Sequence, residues 1–166
     1  MRLVGAGVLV LALLATALLE PSPSRTQAQG GGQPTLVVVA TAMGISDIDL
    51  GALRRVFEGY ATEYRGVRLI AFNQNVGTPA RTSFDRAVLG LGPDQVGRFW
   101  MDQKIRQASQ PPRVIPSPEL VVRVVVSLRG GVGYLIGAPK DLPKGVRHLS
   151  INGKAPTDPG YPLSPR

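Results

Sequence analysis

An α/β layer fold with a partly parallel sheet is the architecture this sequence predicts, and three observations predict it. Short β-branched runs alternate with stretches that carry helix caps and helical apolar spacing. The first such run, Thr35 to Thr41 (TLVVVAT), is continuously apolar, as in a strand buried on both faces. The 166-residue chain is long enough for one sizeable core, and it shows no internal repeat.

The first 28 residues are set aside from that core. Arg2 precedes an apolar run from Leu3 to Leu19, followed by a Pro/Ser stretch and Thr26-Gln27-Ala28. Small residues at −3 and −1 mark 1–28 as a signal peptide cleaved after Ala28. The run is marginal for the roughly 20 apolar residues of a membrane anchor, which is the alternative reading. No cysteine lies near the cut, so lipid attachment at a processed cysteine is excluded. The expectation is therefore a periplasmic protein, with secretion or an uncleaved N-terminal anchor as alternatives.

Zero cysteines in an exported chain exclude a disulfide framework, thiol chemistry and cysteine-based metal sites. The whole chain carries a net charge of +8; removing Arg2, Arg25 and Glu20 leaves 17 Lys+Arg against 10 Asp+Glu, a net of +7. Such a charge favours anionic partners. The basic residues are scattered, however, with no run interleaved by aromatics, so no nucleic-acid partner is expected.

Residues 29–34 are Gly-rich and read as a flexible leader. After the first strand, Ser46 with Asp49 resembles a capping box, and Asp47 and Asp49 suit a first helical turn. Capping explains this carboxylate pair more simply than catalysis does. Leu50, Leu53 and Phe57 mark a buried helix face, which Gly59 ends.

The central unit runs from Val67 to Leu89. A strand over Val67–Phe72 leads into a polar turn at Asn73–Gly77 and a helix near Pro79. Thr78 is its cap, Pro79 its first residue, and Phe84 with Val88 an apolar i, i+4 pair. Free backbone N–H groups and the positive end of the helix dipole at such a start suit a small oxyanion, with Thr78 and Arg81 as side-chain donors. An ordinary capped connection explains the same residues.

Gly90–Pro93 ends that helix and begins another, whose apolar side is Val96, Phe99, Trp100 and Met101, with Trp100 read as core. Arg113–Ile115 is a short strand. Ser117-Pro118-Glu119 opens a further helix despite the valine-rich LVVRVVVSL that follows. Gly130-Gly131 breaks the chain before a buried strand at Val132–Gly137. Val146–Ile151 is the last strand, Asn152-Gly153 a tight turn, and the proline-rich tail is irregular.

Enzyme chemistry finds no support. His148 is the only histidine and has no neighbour suited to a triad or a metal site. P-loop, GxGxxG, HExxH and GxSxG motifs are absent, and neither Ser83 nor Ser127 has a base at a recognisable offset. The chain reads as non-catalytic, with no cofactor and no metal.

Four stretches in order resemble the phosphate-binding family of ABC-transporter substrate-binding proteins. They are LGALRRVFEGY (Leu50–Tyr60), NVGTPARTSFDRAVLG (Asn75–Gly90), PSPELVVRVVVSLRGGVGYL (Pro116–Leu135) and INGKAPTDPGYPL (Ile151–Leu163). The resemblance covers most of Leu36 to Leu163. It implies a type II periplasmic-binding-protein-like α/β lobe over 35–163, a mixed, mostly parallel sheet flanked by helices, and a short tail at 164–166. The second stretch resembles the Gly-Ser/Thr turn that holds the oxyanion, which implies Asn75, Gly77, Thr78 and Arg81 as ligand contacts.

Two departures shape the expectation. A two-lobed family member usually exceeds twice this length, so a single lobe is expected here. The turn lacks the family's preceding arginine, and Pro79 removes one backbone donor. Half a site open to water should bind phosphate or a similar oxyanion weakly. An ABC permease or another envelope protein is the implied partner, and exposed apolar surface suggests a homodimer. The alternative function is a single-lobe interaction or regulatory module that has lost its ligand and contacts another envelope protein.

Overall fold

The computed structural model describes residues 32–165. The expectations for residues 1–28 and for residues 29–31 of the leader fall outside this range. A six-stranded sheet is built from β1 (Thr35–Ala40), β3 (Thr62–Tyr64), β4 (Val67–Gln74), β5 (Arg113–Ile115), β6 (Gly131–Ile136) and β7 (Val146–His148). Its order is β3-β4-β6-β1-β7, and β5 pairs with the far end of β4. β4 runs parallel to both β5 and β6, whereas β1 lies antiparallel between β6 and β7, and β3 runs antiparallel to β4. Four of the six strands thus share one direction, and the antiparallel β1 and β3 make the sheet mixed, with three of its five pairings antiparallel. A small parallel pair, β2 (Asp47–Ile48) with β8 (Ser150–Ile151), stands apart.

β1 is buried along its whole length, as its continuous apolar run requires. Val37 and Val39 face one layer, where they meet Phe57 of α1 (Leu50–Phe57), Phe84 of α2 (Pro79–Phe84) and Tyr134 of β6. Leu36 and Val38 face the other, where Val121 and Val125 of α4 (Pro118–Ser127) pack with Phe72 and Leu135. Ser117 caps α4 by accepting from the Leu120 N–H, so the cap prevails over the β propensity of its valines.

Some local expectations change. Asp49, not Ser46, caps α1 by accepting from the Ala52 N–H. Asp47 is drawn into β2, and its carboxylate accepts from the Gly153 N–H, a long-range partner that a local pattern cannot show. Tail residues Tyr161 and Leu163 are core: the Leu163 carbonyl accepts from the Thr35 N–H, and the Tyr161 hydroxyl donates to the Thr35 carbonyl. In α3 (Pro93–Ile105) only Val96 is buried, while Met101 is 63% exposed. Phe99, Trp100 and Met101 are consecutive, so they fan around the helix and no single face buries all three.

Candidate functional site

β4, β5 and β6 end on the same edge of the sheet, the edge at which open α/β sheets carry ligands. β4 continues two residues beyond the expected Phe72, because Asn73 and Gln74 pair with Val114 and Ile115 of β5. The chain then turns through Asn75, Val76 and Gly77, all exposed, and enters α2 (Pro79–Phe84). Gly77 has φ +87°, and nothing lies within 4 Å of where its Cβ would stand. The turn therefore uses glycine for its left-handed backbone and presents that backbone to open space.

Thr78 caps α2 as its sequence implies. Its hydroxyl accepts from the Arg81 N–H at 3.3 Å and donates to the Asn75 carbonyl at 2.9 Å. The Thr78 N–H also reaches the Asn75 carbonyl, at 3.3 Å. No hydrogen bond among the described residues engages the N–H of Val76 or Gly77. These two groups are the open donors of the turn.

Arg81 lies beneath the turn, only 3% exposed. Its Nε is 2.5 Å from Asp85 Oδ2, and its Nη1 donates to the Gln74 carbonyl at 3.3 Å. Asp85 opens the π-helical turn Asp85–Leu89 that continues α2. Burial pushes its carboxyl above the ordinary aspartate range, against the opposing pull of the Arg81 hydrogen bond and charge. Its second oxygen, Oδ1, is buried with no hydrogen-bond partner. Of the four predicted residues, the exposed Asn75 and Gly77 and the half-buried Thr78 thus form one turn, while the Arg81 guanidinium supports it from within.

Three further residues complete this support. The Gln74 N–H donates to the Tyr134 hydroxyl at 3.1 Å, and the Gln74 side-chain amide donates to the Tyr134 carbonyl at 2.7 Å. The Tyr134 hydroxyl in turn donates to Asn73 Oδ1 at 3.2 Å. Burial raises the Tyr134 phenol well above its usual pKa, so it remains a neutral donor and acceptor. Sequence reasoning missed Asn73, Gln74, Asp85 and Tyr134. Only Asp85 left a readable signal, as the i+4 partner of Arg81. No group of residues suited to holding a metal ion occurs among the described residues.

No family model matches the chain, and no curated protein matches it. Solved structures do. An ABC-type phosphate transport receptor from Vibrio cholerae matches at a TM-score of 0.62 and 15% identity, over 81% of this chain and 54% of that one. The fold is that of a periplasmic-binding-protein-like lobe. PstS from Borrelia burgdorferi matches this lobe at 0.60 and 15%, over 81% of this chain and 55% of that one. A putative phosphate ABC transporter substrate-binding protein from Clostridium perfringens, solved with bound phosphate, matches at 0.58 and 12%, over 76% and 48%. The chain spans about half the length of each. Among the described residues, no helix is long and apolar enough to cross a membrane.

Proposed function

We propose that this lobe is an exported, non-catalytic oxyanion-binding protein of the phosphate substrate-binding type, working with an ABC permease or another envelope protein. Its ligand is phosphate or a similar oxyanion, taken at the turn Asn75–Thr78. The observation that carries this reading is the pair of open N–H groups on Val76 and Gly77, at the carboxyl end of β4 and immediately before a helix start. Thr78 can turn its hydroxyl from the Asn75 carbonyl to the ligand, and Asn75 adds an exposed amide. The fold shared with phosphate receptors supports the same assignment.

Affinity should be weak. The turn is exposed, so water competes for every donor and salt screens the attraction. The Arg81 charge is largely balanced by Asp85, which leaves backbone dipoles as the main attraction for the anion. Calorimetric titration of the protein with inorganic phosphate at low salt tests the reading. Saturable heat that disappears in Thr78→Ala supports it, whereas no heat up to millimolar phosphate overturns it.

A further inference from the structure

We propose that Tyr134 is a positioning residue for the turn Asn75–Thr78 and acts on it through Gln74. The pairing of β4 with β6 stops at Ala71 and Val132, three residues short of Gln74. Beyond that point the Tyr134 side chain and carbonyl replace the ladder, holding the Gln74 backbone N–H and its side-chain amide. The Gln74 carbonyl is held from the opposite quarter by Arg81 Nη1. Gln74 is therefore fixed through both backbone polar groups and its side-chain amide, directly before the exposed turn. Arg81 also reaches the far side of the turn, because its N–H binds the Thr78 hydroxyl.

The anchor itself cannot shift. Tyr134 is fully buried, with its ring stacked on Phe84 at 4.0 Å and 7° and tilted against Phe57 at 5.8 Å. Its hydroxyl is oriented because it accepts from Gln74 and donates to Asn73. A buried network satisfied in this way fixes one arrangement, and loss of one member leaves a buried donor without a partner. Holding Gln74 keeps the next residues in the conformation that leaves the Val76 and Gly77 N–H groups without an internal partner among the described residues. The functional meaning of the device rests on the reading of the turn as an oxyanion site; its mechanical part does not.

Tyr134→Phe keeps the ring and its stacking and removes only the hydroxyl. The test is amide hydrogen exchange and amide chemical shifts, measured by NMR on the whole protein with and without inorganic phosphate. The Gln74 N–H should exchange about tenfold faster relative to the Val38 amide of the core, a local opening that general destabilisation would not produce. The amides of Val76 and Gly77 should shift, and the phosphate response should weaken several-fold. Gln74→Met, which removes only the side-chain bond to the Tyr134 carbonyl, should move the same turn amides if Tyr134→Phe fails to fold. Unchanged exchange ratio and unchanged turn shifts would overturn the proposal. If the wild type ignores phosphate while the exchange ratio still rises, the oxyanion reading fails and the positioning role stands.

Discussion

Arg81 and Asp85 form a buried ion pair, Nε to Oδ2 at 2.5 Å, across the junction where α2 passes into its π-helical turn. The pair is one helical turn long and lies directly under the exposed Gly77–Thr78 corner. Arg81 also holds the Gln74 carbonyl, so one side chain joins the helix start to the strand end.

Removing one partner of a buried pair leaves the other charge unpaired in low dielectric. Arg81→Ala should therefore lose about 3–5 kcal/mol of stability. Replacing both, as Arg81→Met with Asp85→Leu, should be far milder, because two apolar side chains of similar size need no desolvation. Urea unfolding of the three proteins checks this. A single variant no worse than the double would refute the account.

Burial lowers the His148 pKa first, and the neighbouring Arg147 charge lowers it further. The unfolded chain then binds more protons than the folded one between that lowered value and 6.5. Stability from this group is complete above pH 6.5 and is lost as pH falls through the window. His148→Gln should flatten the dependence. Urea midpoints at pH 7.5 and 5.5 measure it, and equal differences in both proteins would contradict the assignment.

Gly133 lets α4 approach β6. A Cβ there would come within 2.6 Å of Val121 Cγ1 and 3.3 Å of Val125 Cγ2. Gly133→Ala should cost about 1–3 kcal/mol through overpacking. Adding Val121→Ala should relieve part of that clash, a coupling visible in a double-mutant cycle. Strict additivity would show that the two sites do not press on each other.

Leu163 is fully buried although it belongs to a segment without regular structure. Leu163→Ala should cost about 2–5 kcal/mol, as expected for a large-to-small change in a core. Thermal or urea unfolding decides the point, and a loss below 1 kcal/mol, near the milder range for core truncations, would mean that the tail contributes little.

Much of the fold was legible because its signals are local. The caps at Thr78 and Ser117, the valine run of β1 and the Asn152-Gly153 turn are each written within a few residues. The structure bears them out, with Asn152 and Gly153 both at positive φ and Ile151 paired to Lys154 across the turn. The first helix failed locally at Ser46 because Asp47 is taken by a strand more than a hundred positions away in sequence. The site divided in the same way. Its turn was readable from Gly77, Thr78 and Pro79, whereas its support depends on pairs such as Gln74 and Tyr134, sixty positions apart.

Apart from β2, β3 and the split of Val146–Ile151 into β7 and β8, the sequence by itself determined the elements, the order of their caps and breaks, the apolar faces of the strands and the exposed glycine turn before Thr78. Each of these follows from neighbours within about one helical turn or two strand residues. Only the tertiary structure decided that β1 enters antiparallel between β6 and β7 and that Tyr161 and Leu163 close the core. It also decided that the Arg81 charge is spent on Asp85 and not left free at the surface. The physical reason is that burial and hydrogen-bond partnership are properties of distant residues brought together, and no local period or propensity encodes them.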